Sequence, residues 1–167
     1  MRISPRVDKV GHPEWKWEFP EGFILVIDTR EQDRLFKKSP KGLVTVRDKL
    51  DAGDYSIKGF ESSVAVERKA VLDLFGSLGR ERERFKRELE RLAKYERAWL
   101  VIEGPEEEVL SFQPYSQLHP NMIRASLASI EVRYHIGVYY ARVKSDAERW
   151  ILDRLVRFYK LKRGNGK

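Results

Sequence analysis

Short apolar runs recur along the chain at a spacing typical of strands. The longest, FILVI at 23–27, predicts a fully buried strand that ends at Asp28. Shorter runs predict further strands at LVTVRDKL (43–50), GDYSI (53–57), SVAVERK (63–69), AWLVIEG (98–104) and GVYYARV (137–143). We expect the second and third strands of this series to form a hairpin around Ala52 and Gly53.

Most of the remaining chain shows the spacing of apolar residues that is typical of amphipathic helices. AVLDLFGSL predicts a helix that stops near Gly76 or Gly79, and a last helix is expected over 145–161 with Ser145 as its N-cap. Two more are predicted over 80–97 and 121–134, the first with a buried stripe of Phe85, Leu89, Leu92 and Tyr95. This alternation predicts an α/β domain whose mixed central sheet is flanked by helices.

The two ends of the chain lack this periodicity. Residues 1–22 contain Pro5, Pro13 and Pro20, and we interpret them as an irregular N-terminal arm anchored by Trp15, Trp17 and Phe19. The domain itself is predicted over 23–161, followed by a basic tail at 162–167.

Composition narrows the class of protein. The chain of 167 residues contains no cysteine, which excludes disulfide scaffolds, thiolate zinc sites and a cysteine nucleophile. The absence of cysteine also fits an intracellular protein. No apolar run reaches the about 18 residues that a membrane helix needs, so we expect no membrane partner. The formal charge of +7 favours a polyanion such as nucleic acid as partner, although a charge-rich surface of the thermophile kind would also produce it.

One strand end combines several groups suited to catalysis. Because side chains alternate along a strand, Glu67 and Lys69 should share one face and Arg68 the other. Pairing with the preceding strand can bring Asp54 alongside them. Further charged residues near this edge are Asp28 and Glu31 beyond the first strand and Asp73 in the first turn of a helix.

This grouping predicts metal-dependent chemistry on a phosphate. Crowded carboxylates without Cys or His suit Mg²⁺ or Mn²⁺, which would relieve their repulsion and activate water. Lys69 would orient the water or neutralise charge at the phosphorus. Each residue alone has an ordinary structural explanation, such as a turn, a strand end or a helix charge, but the combination indicates phosphodiester hydrolysis.

The motifs VIDTRE, GDYSI and VAVERKAVLDLFGSL resemble the nuclease domain of the XPF family of structure-specific DNA endonucleases, in which a GD pair precedes ERK-xxx-D. The resemblance extends from Phe23 to about Tyr159. It implies a restriction-endonuclease-like fold, a Mg²⁺ or Mn²⁺ requirement and incision near duplex–single-strand junctions. It also implies homodimerisation through the C-terminal part of the domain, which contains residues 121–134 and 137–159. A stripe of Ile151, Leu155 and Phe158 there could equally pack within the chain.

The resemblance also assigns roles to individual residues. It implies that Asp54 and Glu67 are metal ligands, joined by the backbone carbonyl of Arg68, and that Lys69 is the catalytic lysine. The supporting charged residues are Asp28, a further possible ligand, and Arg30, Glu31, Arg68 and Asp73. Alternation places the Arg68 side chain away from the metal, so support of the site is its expected role.

The chain departs from the family pattern in two places. KGFESS (58–63) lengthens the gap between Asp54 and Glu67, which we expect to enlarge a hairpin loop and leave the site intact. Family members usually carry a tandem helix-hairpin-helix module after this domain, whereas six residues follow Leu161 here, as in an excised domain or a minimal nuclease.

Several features remain open at the level of sequence. Arg80 and Arg84 are candidates for DNA binding, although a solvated face with Glu/Arg pairs would look the same. Glu103 either supports the site or simply ends its strand. Besides a nuclease acting on branched or flapped DNA, the fold would suit a catalytically silent DNA-binding subunit or a general nuclease of the wider superfamily.

Overall fold

A computed structural model of the protein describes residues 17–164. Of the predicted arm, Trp15 lies outside the described residues, whereas Trp17 and Phe19 stack with ring centroids 5.7 Å apart and pack against the core. Phe19 stacks in turn on the buried Phe23, at 5.9 Å. The two described anchors therefore hold this end of the chain against the domain, as predicted.

Six strands form one mixed sheet within the described residues, which confirms the predicted fold class. Their bounds are β1 (Ile24–Asp28), β2 (Val44–Asp48), β3 (Tyr55–Ile57), β4 (Val64–Ala70), β5 (Arg97–Glu103) and β6 (Gly137–Ala141). The order across the sheet is β2-β1-β3-β4-β5-β6. The β1–β2, β4–β5 and β5–β6 pairs are parallel, and β3 is antiparallel to both β1 and β4.

The predicted hairpin around Ala52 and Gly53 is wrong, because β1 lies between β2 and β3. Val26 of β1 pairs with Val46 on one side and with Ser56 on the other. The hairpin in the structure joins β3 to β4 through residues 58–63. Phe60 in this loop packs edge-on against Phe158, at 5.8 Å, so the lengthened loop is anchored on the core.

The helices agree with the predictions except at their ends. They are α1 (Val71–Leu78), α2 (Arg82–Leu92), a short α3 (Glu106–Val109) that was not predicted, α4 (Pro120–Tyr134) and α5 (Lys144–Lys162). The predicted 80–97 helix is too long at both ends, because the chain turns after Ala93 and Arg97 already belongs to β5. Ser145 is not an N-cap: Val143 occupies that position, and the carboxylate of Asp146 accepts hydrogen bonds from Arg142 N and the Tyr139 hydroxyl.

The sheet separates two apolar cores. Helix α5 packs with Val64 and Val66 of β4 on one face. Helices α1, α2 and α4 pack with Ala65 on the other face. Each helix among residues 17–164 is too short or too polar to traverse a lipid bilayer. Because β4 alternates between the two cores, consecutive residues at its end face different surroundings.

Candidate active site

Gly53 allows the chain to approach the end of β4 closely. Its φ of +79° lies in the left-handed region, and a Cβ there would sit 3.0 Å from Ala65 Cβ and 3.1 Å from the Val66 carbonyl oxygen. The next residue, Asp54, donates its backbone N–H to Val66 O at 2.8 Å. Its carboxylate accepts the backbone N–H of Arg68, also at 2.8 Å. The Gly-Asp pair therefore fixes Asp54 beside the end of β4.

Glu67 and Lys69 project together on the α2 side of the sheet. Lys69 Nζ lies 3.2 Å from Glu67 Oε1, and both side chains are largely buried, at 12% and 8% exposure. The structure thus brings Asp54, Glu67 and Lys69 together at one end of β3 and β4, as the alternation predicted.

The Arg68 side chain occupies the opposite face, also as predicted. Its guanidinium is 7% exposed and makes a two-pronged contact with Glu103, at 2.7 and 2.9 Å. It also donates to the backbone carbonyl of Asp33 at 2.6 Å and lies 3.3 Å from Glu31 Oε1. Burial opposes the charge, but the hydrogen bonds from Arg68 to Glu103 raise the pKa of the guanidinium. Glu103 is therefore more than a strand-end charge: it holds Arg68 behind the candidate site.

Asp28 and Arg30 form a second support. Each Asp28 oxygen accepts two hydrogen bonds: Oδ1 from the backbone N–H and Nε of Arg30, and Oδ2 from Arg30 Nη2 and Leu50 N. Burial would raise the pKa of Asp28, but these hydrogen bonds lower it below its usual value. A metal-ligand role for Asp28 stays a prediction. In the structure both of its carboxylate oxygens already accept hydrogen bonds, from Arg30 and from the backbone N–H of Leu50.

A cleft of about 870 Å³ opens over these groups. Asp28, Glu31, Asp54, Glu67 and Lys69 line its floor. Its wall includes Asp73 of α1, Arg84 of α2 and Arg80 of the turn between these helices. Asp73 lies in the first turn of α1, as predicted. Arg80 and Arg84 are exposed, and Arg84 pairs with Glu81 at 3.3 Å. All residues of the sequence-based site therefore surround this one cleft or support it from behind.

Sequence reasoning missed Glu88. This residue of α2 points into the cleft, where its Oε2 lies 3.7 Å from Lys69 Nζ. The predicted buried stripe contained a usable signal, because Glu88 follows Phe85 by three residues and precedes Leu89 and therefore lies next to the buried face of the helix. The many Glu and Arg residues of this helix instead favour a solvated face.

Burial makes the ionised carboxylates of the cleft costly. It raises the pKa of Asp54 to about 7, an effect to which the charge of Glu31 adds. Burial also raises the pKa of Glu67 well above its usual value, with the nearby charge of Asp54 as the next cause. Burial disfavours the charged form of Lys69, but Glu67 and Glu88 outweigh this effect and raise its pKa. A cation supplied from outside would relieve the repulsion between Asp54 and Glu67.

The donor atoms fit a hard divalent cation. Asp54 and Glu67 offer carboxylate oxygens, and Mg²⁺ typically takes one or two carboxylates while keeping several waters. Among residues 17–164, no group of three or more His, Asp or Glu side chains is arranged to hold an ion. Asp54 and Glu67 are therefore the side-chain candidates for metal binding, and the backbone carbonyl of Arg68 stays the predicted third ligand.

Solved structures similar to this chain include two of XPF from Aeropyrum pernix. XPF from Aeropyrum pernix shares 23% identity over 81% of this chain and 61% of that chain, with a TM-score of 0.61. XPF from Aeropyrum pernix in complex with DNA shares 22% identity over 84% of this chain and 66% of that chain, with a TM-score of 0.63. The chain thus spans less than two thirds of the length of either, and the likeness shows the fold. A search of curated protein sequences found no match.

A match to a family model identifies the protein family. The model of the ERCC4 domain matches residues 27–153, which is more than half of the chain and includes every residue of the predicted site. The predicted limits of 23–161 contain this range and stay a prediction. With the GD and ERK-xxx-D motifs at one cleft of a mixed six-stranded sheet, the chain belongs to the ERCC4 domain family and has the fold of an XPF-type nuclease domain.

Proposed function

We propose that this protein is a Mg²⁺- or Mn²⁺-dependent endonuclease that hydrolyses a DNA phosphodiester near duplex–single-strand junctions. The observation that carries the proposal is the convergence of Asp54, Glu67 and Lys69 at the floor of one cleft. The buried carboxylate of Glu67 and the half-buried carboxylate of Asp54, beside a lysine, match the needs of phosphate hydrolysis, in which a nucleophile must be activated and negative charge must be neutralised.

Asp54 and Glu67, with the backbone carbonyl of Arg68, would hold the metal. When bound, Mg²⁺ or Mn²⁺ supplies Lewis-acid activation of water and charge stabilisation at the phosphate. Lys69 remains protonated beside Glu67 and can donate to a phosphate oxygen or to the attacking water. The side chains of Arg68 and Glu103 hold the end of β4 from the opposite face, and Asp28 holds Arg30, while the backbone N–H of Arg68 donates to the carboxylate of Asp54.

DNA is the polyanion that we propose for the cleft. Arg80 and Arg84 line its wall, and the chain carries a formal charge of +7. The structure of XPF from Aeropyrum pernix in complex with DNA adds support. Such an enzyme would work where DNA is found, in the cytoplasm, nucleoid or nucleus. The preference for flap, fork or branched DNA rests on the family resemblance.

Cleavage assays separate this proposal from its alternatives. Labelled flap, fork, four-way-junction and plain duplex DNA would be incubated with Mg²⁺ or Mn²⁺, with Glu67→Gln, Lys69→Ala and Asp54→Asn compared with wild type. The exposed Glu90→Gln on α2 serves as a control. We expect metal-dependent cutting by wild type and the control, loss of cutting in the three variants, and DNA binding by Asp54→Asn close to that of wild type.

Three results would contradict the proposal in different ways. Absence of a metal-dependent product on every substrate would favour a silent DNA-binding subunit. Equal cutting of plain duplex and flap DNA would favour a general nuclease. Cutting by the variants at the wild-type rate would show that the assigned site is wrong.

We further propose a homodimer through the C-terminal part of the domain. Strand β6 is an edge of the sheet, and Val132 and Met122 of α4 are 79% and 39% exposed. Ile151, Leu155 and Phe158 are buried in the protein's own core and do not contribute to this surface. Sedimentation should detect a wild-type dimer that Val132→Glu weakens; a wild-type monomer at micromolar concentration would contradict this assignment.

A further inference from the structure

Helix α2 supplies two groups that contact the candidate catalytic lysine. The Phe85 ring centroid lies 4.8 Å from Lys69 Nζ, which places the ammonium over an aromatic face. Glu88 Oε2 lies 3.7 Å from the same nitrogen. Phe85 and Glu88 are three residues apart and therefore neighbours on one face of α2. Lys69 is thus held between β4, which supplies Glu67, and one turn of α2.

The distances leave the lysine able to donate. An ammonium has three N–H donors. The 3.2 Å contact with Glu67 can use one of them, whereas 3.7 Å to Glu88 is an ion pair too long for a good hydrogen bond. A cation–π contact with Phe85 is electrostatic and can form without an N–H directed at an acceptor. Glu88 and Phe85 can therefore restrain the position of the ammonium while donors remain for a substrate.

Such restraint matters because lysine is flexible. Its charge lies at the end of a four-carbon stem that loses considerable rotamer freedom when it is fixed. Glu67 is also a predicted metal ligand, so its carboxylate must interact with both the metal ion and the Lys69 ammonium. Glu88 has a side chain that is 23% exposed, and it approaches Lys69 from a different element than Glu67 does. A second carboxylate on α2, which also contacts Glu67, therefore gives the lysine a partner on a second element.

We propose that Glu88, together with the Phe85 ring, is a positioning residue that holds the Lys69 ammonium in the cleft for hydrolysis. This inference rests on the proposed function and goes beyond it, since it assigns part of the catalytic arrangement to α2. It predicts that Glu88 acts through Lys69. A purely structural ion pair would instead stabilise the packing of α2 on β4 and affect folding more than turnover.

The kinetic test compares Glu88→Ala and Glu88→Gln with the exposed Glu90→Gln on the same helix. We expect kcat to fall about 10- to 100-fold in both Glu88 variants, as misplacement of a catalytic group does, with the Kd for DNA within about twofold of wild type. Glu88→Gln should lose nearly as much as Glu88→Ala, because the negative charge is what is removed. A change confined to thermal stability or to Kd, with kcat at the wild-type level, would overturn the proposal.

A double-mutant cycle tests whether Glu88 works through Lys69. In the Lys69→Ala background, where only the residual cutting at high enzyme concentration is followed, adding Glu88→Ala should lower the remaining rate by less than about twofold, since the positioned group is already absent. Losses that multiply in the double variant would show an independent role for Glu88 and overturn the proposal.

A second measurement needs no nuclease activity. The rate at which an amine-reactive acylating reagent modifies Lys69 can be followed by mass spectrometry of the native metal-free protein. We expect a several-fold faster reaction in Glu88→Ala and no change in Glu90→Gln, because removal of the Glu88 side chain leaves the Lys69 amine more accessible. If wild type cuts no DNA but this acceleration is observed, the proposed function fails while the contact stands. Unchanged reactivity would overturn the positioning role even in an active enzyme.

Discussion

Arg68 offers a sharp test of how the site is supported, because its side chain lies on the face of the sheet opposite Glu67 and Lys69. Arg68→Met keeps much of the apolar stem and deletes the guanidinium. The two-pronged contact with Glu103 and the ion pair with Glu31 are then lost. Both carboxylates remain where they are, with side-chain exposures of only 12% and 13%.

The expected loss in the free energy of unfolding of Arg68→Met follows from the burial of these two carboxylates. Removal of one partner of a buried ion pair typically costs about 3–5 kcal/mol, because the other charge stays behind uncompensated. For a chain of this size that corresponds to a decrease in Tm of about 6–20 °C. Glu103→Leu in the Arg68→Met background removes the stranded charge, so the double variant should be more stable than the single one by about 1 kcal/mol or more.

Urea unfolding followed by tryptophan fluorescence, together with thermal scans, measures these differences. Arg97→Met serves as the matched control, because Arg97 is exposed at the start of β5, and we expect its unfolding free energy to stay within about 0.5 kcal/mol of wild type. A loss below about 1 kcal/mol in Arg68→Met would refute the reasoning. So would a double variant less stable than the single one.

Three further predictions concern the cleft. Gly53→Ala should lower the free energy of unfolding by about 2 kcal/mol or more, because the new Cβ combines a positive φ with a 3.0 Å contact to Ala65. Gly59 has a φ of +87° but no atom within 4 Å of such a Cβ, so Gly59→Ala should cost only about 1 kcal/mol. Equal losses in urea unfolding would contradict this difference. Because folding raises the pKa of Asp54 to about 7 and that of Glu67 as well, the folded protein binds protons that the unfolded chain releases. The Tm in EDTA should therefore fall as pH rises from about 4 through 7, and Asp54→Asn should flatten the curve; a rising wild-type curve would contradict the burial argument. Arg80→Gln with Arg84→Gln should weaken binding to all DNA sequences alike and reduce the slope of log K against log salt by about 2, as measured by fluorescence anisotropy; an unchanged slope would remove both residues from the interface.

The parts of the site that the sequence predicted are those set by local geometry. Alternation along β4 placed Glu67 and Lys69 on one face and Arg68 on the other, because a strand has a fixed two-residue period. The Gly-Asp pair carried a further signal, since a glycine before a strand indicates a backbone that only glycine adopts easily. Both features depend on residues within one or two positions of each other.

The parts that were missed depend on contacts between distant segments. Local patterns predicted β2 and β3 correctly as strands, but not that β1 would lie between them, because strand pairing is decided by packing of the whole sheet. The pairing of Arg68 with Glu103 could not be predicted for the same reason, because the two residues are 35 positions apart in the sequence. Glu88 was missed because a charge on an exposed-looking helix becomes a site residue only when that helix is placed over β4.

The sequence separations of these contacts have a consequence for the order of folding. Asp54 meets Arg68 N across 14 residues, whereas Arg68 meets Glu103 across 35 and Phe36 N meets Glu148 across 112. Since closing a short loop costs less entropy than closing a long one, we expect the β3–β4 hairpin to form before β5 and α5 dock. The cleft carboxylates would then be brought together early, before Arg68 acquires its partners. In folding kinetics, substitutions at Ser56 should slow refolding while Glu148→Gln should mainly accelerate unfolding; the reverse assignment would show that the sheet assembles from its outer contacts inward.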